Sequence, residues 1–135
     1  MKIKYIPCFL IPSLVFFSFF NFYGCGHSYD KKQLDKGELY YDNTISQDKI
    51  EKLSSYINQC EIFNSDVHKA RITQSDSIYE FSLGCSPQTY NSDQFQSFAE
   101  LLAMQLSEDV FDHHRVMLHL TDDNFNQKIT KSSGQ

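Results

Sequence analysis

The chain has 135 residues, which leaves room for one domain rather than for a two-domain enzyme. Its 17 acidic residues outnumber its 12 basic residues and give a formal net charge of −5. Because a nucleic-acid surface needs a basic face to bind phosphates, no nucleic-acid partner is expected. With 41% hydrophobic and 21% charged residues, the composition fits an acidic globular domain and not a disordered or collagen-like chain.

The first 24 residues form a hydrophobic leader. Lys2 and Lys4 are the only charges before Asp30, and a near-continuous apolar run over residues 6–22 follows them. A helix over this run would span about 26 Å, slightly less than the ~30 Å hydrocarbon core of a bilayer. A positive start, an apolar middle and small residues at the exit are typical of a secretory signal. We therefore predict a signal peptide over residues 1–24.

The end of the leader reads Phe22-Tyr23-Gly24-Cys25 and resembles the lipobox of bacterial lipoprotein precursors. In that family a small residue precedes a cysteine that is lipidated and becomes the mature N-terminus. Gly24 and Cys25 match the pattern, whereas Phe22 stands where leucine is usual and Tyr23 is bulkier than the preferred residue. The resemblance implies acyl chains such as palmitate on Cys25. It also implies a lipid-anchored protein of the bacterial cell membrane or envelope, with its domain on the exported side. An uncleaved N-terminal anchor and ordinary secretion are the alternatives.

The composition divides the remaining chain into three parts. Residues 25–37 are polar and of mixed charge, which predicts a lipid-anchored tether. Residues 38–130 are predicted to form the folded domain. Residues 131–135 are predicted to be a disordered tail.

The first half of the domain alternates strand and helix patterns. Residues 39–41 predict a short strand, and Ser46 is the expected N-cap of a helix. The apolar stripe of that helix repeats every three or four residues, at Ile50, Leu53, Ile57 and Cys60. Apolar and polar residues then alternate over residues 69–73 and 79–83, which predicts two strands separated by a turn.

The second half of the domain carries the strongest helical pattern. Residues 91–93 can cap a helix, and its stripe is formed by Phe95, Phe98, Leu102, Leu106 and Val110, supported by Ala99 and Leu101. Strict alternation over residues 115–120 predicts another strand. Beyond it, Phe125 and Ile129 leave room for one more short element.

The predicted order is β-α-β-β-α-β, which indicates an α+β domain with the split βαβ (ferredoxin-like) arrangement. We expect one antiparallel sheet with two helices on one face and right-handed crossovers. The predicted core is Ile50, Leu53, Ile57, Ile72, Phe81, Leu83, Phe98, Leu102, Leu106, Val116, Leu118 and Leu120.

A second resemblance covers about two thirds of the chain, from Gly37 to Asp123. It rests on Gly37-Glu38-Leu39-Tyr40-Tyr41, Leu53, Val110-Phe111-Asp112, Val116, His119-Leu120 and Asp122-Asp123. In this spacing the chain resembles small bacterial α/β domains of unassigned function. The resemblance implies no catalytic residues.

Six residues near the C-terminal end suggest a metal site: Asp112, His113, His114, His119, Asp122 and Asp123. Imidazole and carboxylate groups suit zinc, copper or nickel. Adjacent histidines point apart in an extended chain, however, and six strand residues cover ~20 Å. We therefore expect a solvated turn at His113 and His114, an outward-facing His119, and no metal or cofactor.

The sheet face that the helices do not cover is the expected interaction surface. Tyr40, Met117 and His119 would lie on it and could contact a partner or a second copy. Alternatively, the tail around Phe125 and Ile129 covers this face.

Cys60 and Cys85 remain once the leader and Cys25 are set aside. Export to an oxidising compartment favours a disulfide between them, and the predicted topology places both at the same end of the domain. Two unpaired thiols are the preferred alternative, because a free buried cysteine packs well as a small apolar residue.

We therefore expect a non-catalytic, membrane-anchored envelope lipoprotein that acts as a binding or self-association module. Its expected partners are the membrane, through a lipidated Cys25, and an unknown envelope protein or a second copy. The alternative is a small metal-handling protein or enzyme that uses residues 112–119.

Overall fold

The computed structural model describes residues 28–134. The predicted signal peptide and the predicted lipidation site at Cys25 lie outside these residues. Within the described range, no helix is both long enough and apolar enough to span a membrane.

The described residues form one sheet and three helices. The strands are β1 (Asp30–Gln33), β2 (Glu38–Tyr41), β3 (Lys69–Ser75), β4 (Ile78–Gly84), β5 (Val116–Thr121) and β6 (Gln127–Ser132). The helices are α1 (Gln47–Gln59), the single turn α2 (Pro87–Tyr90) and α3 (Asp93–Asp109). The four predicted strands and both predicted helices are confirmed.

Serine residues precede all three helices, as the residue preferences for N-caps predict. The hydroxyl of Ser92 accepts a hydrogen bond from the backbone N–H of Phe95 at 3.3 Å, and Ser86 caps α2 in the same way through Thr89. Ser46 occupies the N-cap position of α1, but its side chain makes no capping hydrogen bond.

The strand order in the sheet follows the chain, from β1 to β6. The pairs β2–β3 and β4–β5 are parallel, and the other three pairs are antiparallel. The α+β class is therefore confirmed, whereas the split βαβ order and the purely antiparallel sheet are wrong. In a split unit another strand lies between the two parallel ones, but here they are direct neighbours. Strand periodicity cannot distinguish the two strand orders, because the same alternating residues of each strand face the helices in either order.

Both long helices cover the same face of the sheet. Lys32 of β1 pairs with Glu51 of α1 at 2.6 Å, and the Tyr56 hydroxyl of α1 donates to Gln105 of α3 at 3.0 Å. The two parallel strand pairs point in opposite directions, because β3 and β4 are antiparallel. With the strands in chain order, the two crossovers must therefore have opposite hands, so the prediction of two right-handed crossovers is wrong.

The two sheet faces differ in chemistry, which explains why both helices share one of them. The inner face carries eleven residues that pair across these strands, and all except Gln74 are apolar or aromatic: Leu39, Tyr41, Ala70, Ile72, Gln74, Tyr79, Phe81, Leu83, Val116, Leu118 and Leu120. The outer face carries Glu38, Tyr40, Lys69, Arg71, Glu80, Ser82, Met117 and His119. An amphipathic helix can bury its stripe only against the inner face.

Eleven of the twelve predicted core residues are buried, and Phe98 is the exception at 40% exposed. The buried residues of α3 include Ala99, Leu102, Ala103 and Leu106. At about 100° per residue, Phe98 points roughly 90° away from the centre of that set. Its placement in the core was wrong because the helix carries more apolar residues than one face can bury.

The ordered domain is longer at both ends than the sequence predicts. Residues 30–33, which were assigned to the tether, pair with β2 as an edge strand and are followed by a turn in which Leu34 N–H donates to the Gly37 carbonyl. At the other end, Lys131 and Ser132 pair with β5 and do not belong to a disordered tail. Both strands lie at sheet edges and pair with a neighbour through backbone hydrogen bonds on one side only. Their side chains do not form the alternating apolar pattern by which a strand is predicted from sequence.

Candidate functional site

The three residues of the predicted partner surface all lie on the outer sheet face, but they have different environments. His119 is only 4% exposed. Its Nδ1 atom lies 2.8 Å from the Thr130 hydroxyl, and its Nε2 atom lies 3.3 Å from a Glu80 carboxylate oxygen. The imidazole therefore connects β4, β5 and β6. His119 faces the outer side of the sheet, as predicted, but its side chain is buried there and not exposed to solvent. Met117, on the same strand, is half-buried.

Tyr40 lies in an aromatic cluster with Phe125. The two ring centroids are 5.8 Å apart in an edge-to-face arrangement, and the Arg71 guanidinium lies 4.6 Å from the centre of the Phe125 ring. The Tyr40 hydroxyl donates to Glu38 at 2.7 Å, which lowers the pKa of Glu38 and raises the pKa of Tyr40. Phe125 thus covers part of the outer face, as the alternative interpretation expected.

The turn between β5 and β6 holds Phe125 over this face. The Asp122 carboxylate accepts hydrogen bonds from the backbone N–H groups of Asn126 and Asn124, at 2.9 and 3.0 Å. The hydrogen bonds from Asn126 are the main reason that the pKa of Asp122 lies below its usual value. Phe125 has φ 62°, a conformation that bulky residues rarely adopt. Ile129, by contrast, pairs with Leu120 and packs against the inner-face core.

The candidate metal ligands are not brought together. His113 and His114 lie in the turn after α3, where His114 Nδ1 is 2.7 Å from the Phe111 carbonyl oxygen, whereas His119 is on the outer sheet face. Asp112 binds Lys49, and this hydrogen bond lowers the pKa of Asp112. Between residues 28 and 134, no three His, Cys, Asp or Glu side chains are grouped as metal ligands.

Cys60 and Cys85 are both free cysteines. Cys60 is exposed because α1 ends at Gln59, so the residue does not extend the buried stripe as its spacing predicted. Cys85 is buried, and its thiol lies 3.6 Å from the Thr121 carbonyl oxygen. Burial raises the pKa of Cys85 to about 11.

The outer side of α3 carries the main apolar surface of the described domain. Phe98, Leu101 and Met104 are 40%, 51% and 45% exposed, and we call these three residues the α3 stripe. They are spaced three residues apart, so they are neighbours along one side of the helix. Sequence reasoning missed this surface, although the apolar residues beyond the buried set of α3 were a signal of it.

A groove adjoins the N-terminal end of the α3 stripe. Its volume is about 520 Å³, and we call it the α3 groove. It is lined by Asn64, Asp66, Gln88, Thr89, Ser92, Gln94, Phe95 and Phe98. A smaller groove of about 300 Å³ lies at the opposite end of the helix, beside Met104 and His113.

The model of the AF_1994_N family, described as a family N-terminal domain, matches residues 31–133 of the chain. The chain belongs to this family. No curated protein and no solved structure matches the chain.

The AF_1994_N match extends from β1 to just beyond β6. It therefore includes β1, which sequence reasoning assigned to a tether, and the last two residues of β6, which it assigned to a tail. It also includes the α3 stripe and the α3 groove. The match agrees with the predicted small domain of unassigned function, and the lipobox-like segment lies outside it.

Proposed function

We propose that the chain is a non-catalytic lipoprotein of the bacterial envelope, anchored through Cys25, whose domain acts as a binding or self-association module. The lipobox-like sequence supports the anchor. The observation that carries the binding function is the α3 stripe, because three adjacent large apolar side chains remain 40–51% exposed in a domain with a well-formed core. Apolar patches with polar rims mark interaction sites.

The surroundings of the α3 stripe favour a protein partner over a lipid surface. Gln94, Gln105 and Glu108 are exposed on the same side of the helix. The helix contains four acidic residues, Asp93, Glu100, Glu108 and Asp109, and no basic residue. A surface that docks on anionic lipid needs basic side chains around its apolar face. The α3 stripe therefore suits a protein surface, including that of a second copy.

The fold would keep the anchored domain close to the membrane. Because β1 begins at Asp30, only five residue steps separate it from Cys25. Fully extended, these steps reach at most about 18 Å. A partner of the α3 stripe would then be a protein within a short distance of the bilayer, where anchoring raises the effective concentration of both.

Mass spectrometry of the mature N-terminus tests the anchor. We expect a thioether-lipidated Cys25 as the first residue when the full chain is expressed in bacteria, and a Cys25→Ser variant should lose the modification. An intact Met1 on the wild-type chain would contradict the proposed anchor.

Site-specific photo-cross-linking tests the binding surface. A benzophenone side chain replacing Leu101 in the membrane-bound full chain should give a discrete adduct on irradiation, with a second copy or with one envelope protein. The same group at Glu100, which is exposed on α3 but outside the stripe, and at Ser77 in the β3–β4 turn, provides matched controls. Equal yields at all three positions, or no adduct at 101, would show that the stripe is not a binding surface.

A further inference from the structure

The α3 groove has the size of a small-ligand site. Its volume of about 520 Å³ lies within the ~300–1,000 Å³ range of ligand pockets. One wall is the loop at Asn64 and Asp66, the second is α2, and the third is the first turns of α3. These three segments meet at the edge of the α3 stripe, where Phe98 belongs to both surfaces.

Hydrogen bonds hold the walls of the groove in place. The side-chain oxygen of Asn64 accepts from the backbone N–H groups of Asp66 and Val67, at 2.8 and 2.9 Å. Thr89 on α2 donates to the Asp66 carboxylate at 3.4 Å and thereby connects two walls. Ser92 caps α3. The groove is therefore formed before any ligand binds, which reduces the entropic cost of binding.

The lining combines aromatic rings with side-chain amides that make no hydrogen bond to residues 28–134. Phe95 is half-buried against the core and Phe98 is exposed, and their ring centroids are 5.5 Å apart with planes inclined at 42°. Gln88 and Gln94 are exposed, and neither side chain makes a hydrogen bond to any residue in the range 28–134. Each of these amides offers one acceptor oxygen and two N–H donors.

The charge of the lining narrows the class of ligand. Asp66 is the only charged residue among the eight, and no lysine, arginine or histidine lines the groove. A phosphate or carboxylate group would find no cation there. A purely apolar ligand would leave the amide and hydroxyl groups without partners.

We propose that the α3 groove binds an uncharged oligosaccharide. A sugar ring has an apolar face of C–H groups and an equatorial rim of hydroxyls. The C–H face suits the negative face of the Phe98 ring, and the hydroxyls suit the amides of Gln88 and Gln94. This activity goes beyond the proposed protein contact, because it needs neither Leu101 nor Met104.

Titration of the full chain with three neutral oligosaccharides tests the proposal. The probes are chitotetraose, cellotetraose and maltotetraose, each followed by ¹H–¹⁵N NMR of the protein in phosphocholine micelles, since sugar-based detergents would compete. At least one probe should bind with a Kd between about 0.1 and 10 mM. The side-chain amide signals of Gln88 and Gln94 should shift. The absence of such shifts with all three probes at about 20 mM would overturn the proposal.

Three variants locate the binding. Phe98→Leu should weaken the affinity at least about tenfold, because it removes the aromatic face, and the double change Gln88→Ala with Gln94→Ala should do the same. Gln59→Ala is the matched control, since Gln59 is an exposed helical glutamine away from the groove. Thermal melts that match the wild type would show that the variants fold. Unchanged affinity in Phe98→Leu would contradict stacking in the groove.

The double change Gln88→Ala with Gln94→Ala also separates this proposal from the proposed function. Neither glutamine belongs to the α3 stripe, so photo-cross-linking from position 101 should persist while the affinity for the oligosaccharide falls at least about tenfold. Loss of cross-linking with intact oligosaccharide binding would instead contradict the protein contact and leave the groove as a binding site.

Discussion

Replacing Leu102 with alanine should lower the free energy of unfolding by about 2–5 kcal/mol, the usual cost of truncating a buried leucine. Leu102 is 2% exposed and belongs to the single core that joins both helices to the inner sheet face. Its neighbour Leu101 is 51% exposed. The same change at Leu101 removes the same atoms from the same helix but leaves no cavity, so it should cost less than about 1 kcal/mol.

Urea unfolding of the two variants and the wild type provides the measurement. The midpoints are compared with a common dependence of the free energy of unfolding on urea concentration. A domain of this size has only about 5–10 kcal/mol of stability, so the Leu102→Ala transition should move to markedly lower urea. Similar midpoints for the two variants would mean that the buried side of α3 is not the side that carries Leu102.

This pair of leucines also shows what the sequence could determine. Periodicity predicted a helix with its cap at residues 91–93 and a stripe from Phe95 to Val110, which agrees with α3, and it correctly placed Leu102 in the core. It could not separate Leu102 from Phe98, because both belong to an apolar set that is wider than one helix face. Only the packing of the helix against β5 and β6 determines which part of that set is buried.

Strand order shows a different limit of sequence reasoning. Every strand in the predicted order of elements was found, but the order within the sheet depends on which edges pair, and the alternating pattern of a strand contains no information about its neighbours. The edge strand β1 was missed, and β6 was expected only as a short element of unassigned type, because the sequences of both strands are mainly polar. The handedness of the crossovers follows from strand order, so an error in the order propagates to the handedness.

The candidate surfaces were predictable only in part. Tyr40 and His119 were correctly assigned to the face without helices, but the neighbours that enclose them are distant in sequence. Phe125 meets Tyr40 and Arg71, and Glu80 and Thr130 bond His119. The α3 groove is formed by three segments between residues 64 and 98 whose proximity depends on the crossover from β4 to β5. No local motif marks such a site.

Gly37 lies where the chain enters β2, and two backbones approach closely there. The carbonyl oxygen of His68 accepts a hydrogen bond from the Glu38 N–H at 3.0 Å, at the beginning of the parallel β2–β3 pair. A Cβ atom on Gly37 would lie 2.4 Å from that oxygen and 2.8 Å from Cδ2 of Phe63, a buried ring. Neither neighbour is the end of a flexible side chain, so the strand itself would have to move.

Replacing Gly37 with alanine should therefore lower the free energy of unfolding by about 3 kcal/mol, the upper part of the range for overpacking. Gly84→Ala is the matched control, because Gly84 lies in β4 and an added Cβ would come no closer than 3.3 Å to the Asp122 carbonyl oxygen. The control should cost less than about 1.5 kcal/mol, since a shift of a few tenths of an ångström would relieve that contact.

Amide hydrogen exchange at Glu38 should accelerate in Gly37→Ala more than in Gly84→Ala, because the hydrogen bond from Glu38 N–H to the His68 carbonyl is the one that the new methyl group displaces. Equal urea midpoints for the two alanine variants, with unchanged exchange at Glu38, would show that the entrance to β2 accommodates a side chain and that the close approach to His68 is not required by the fold.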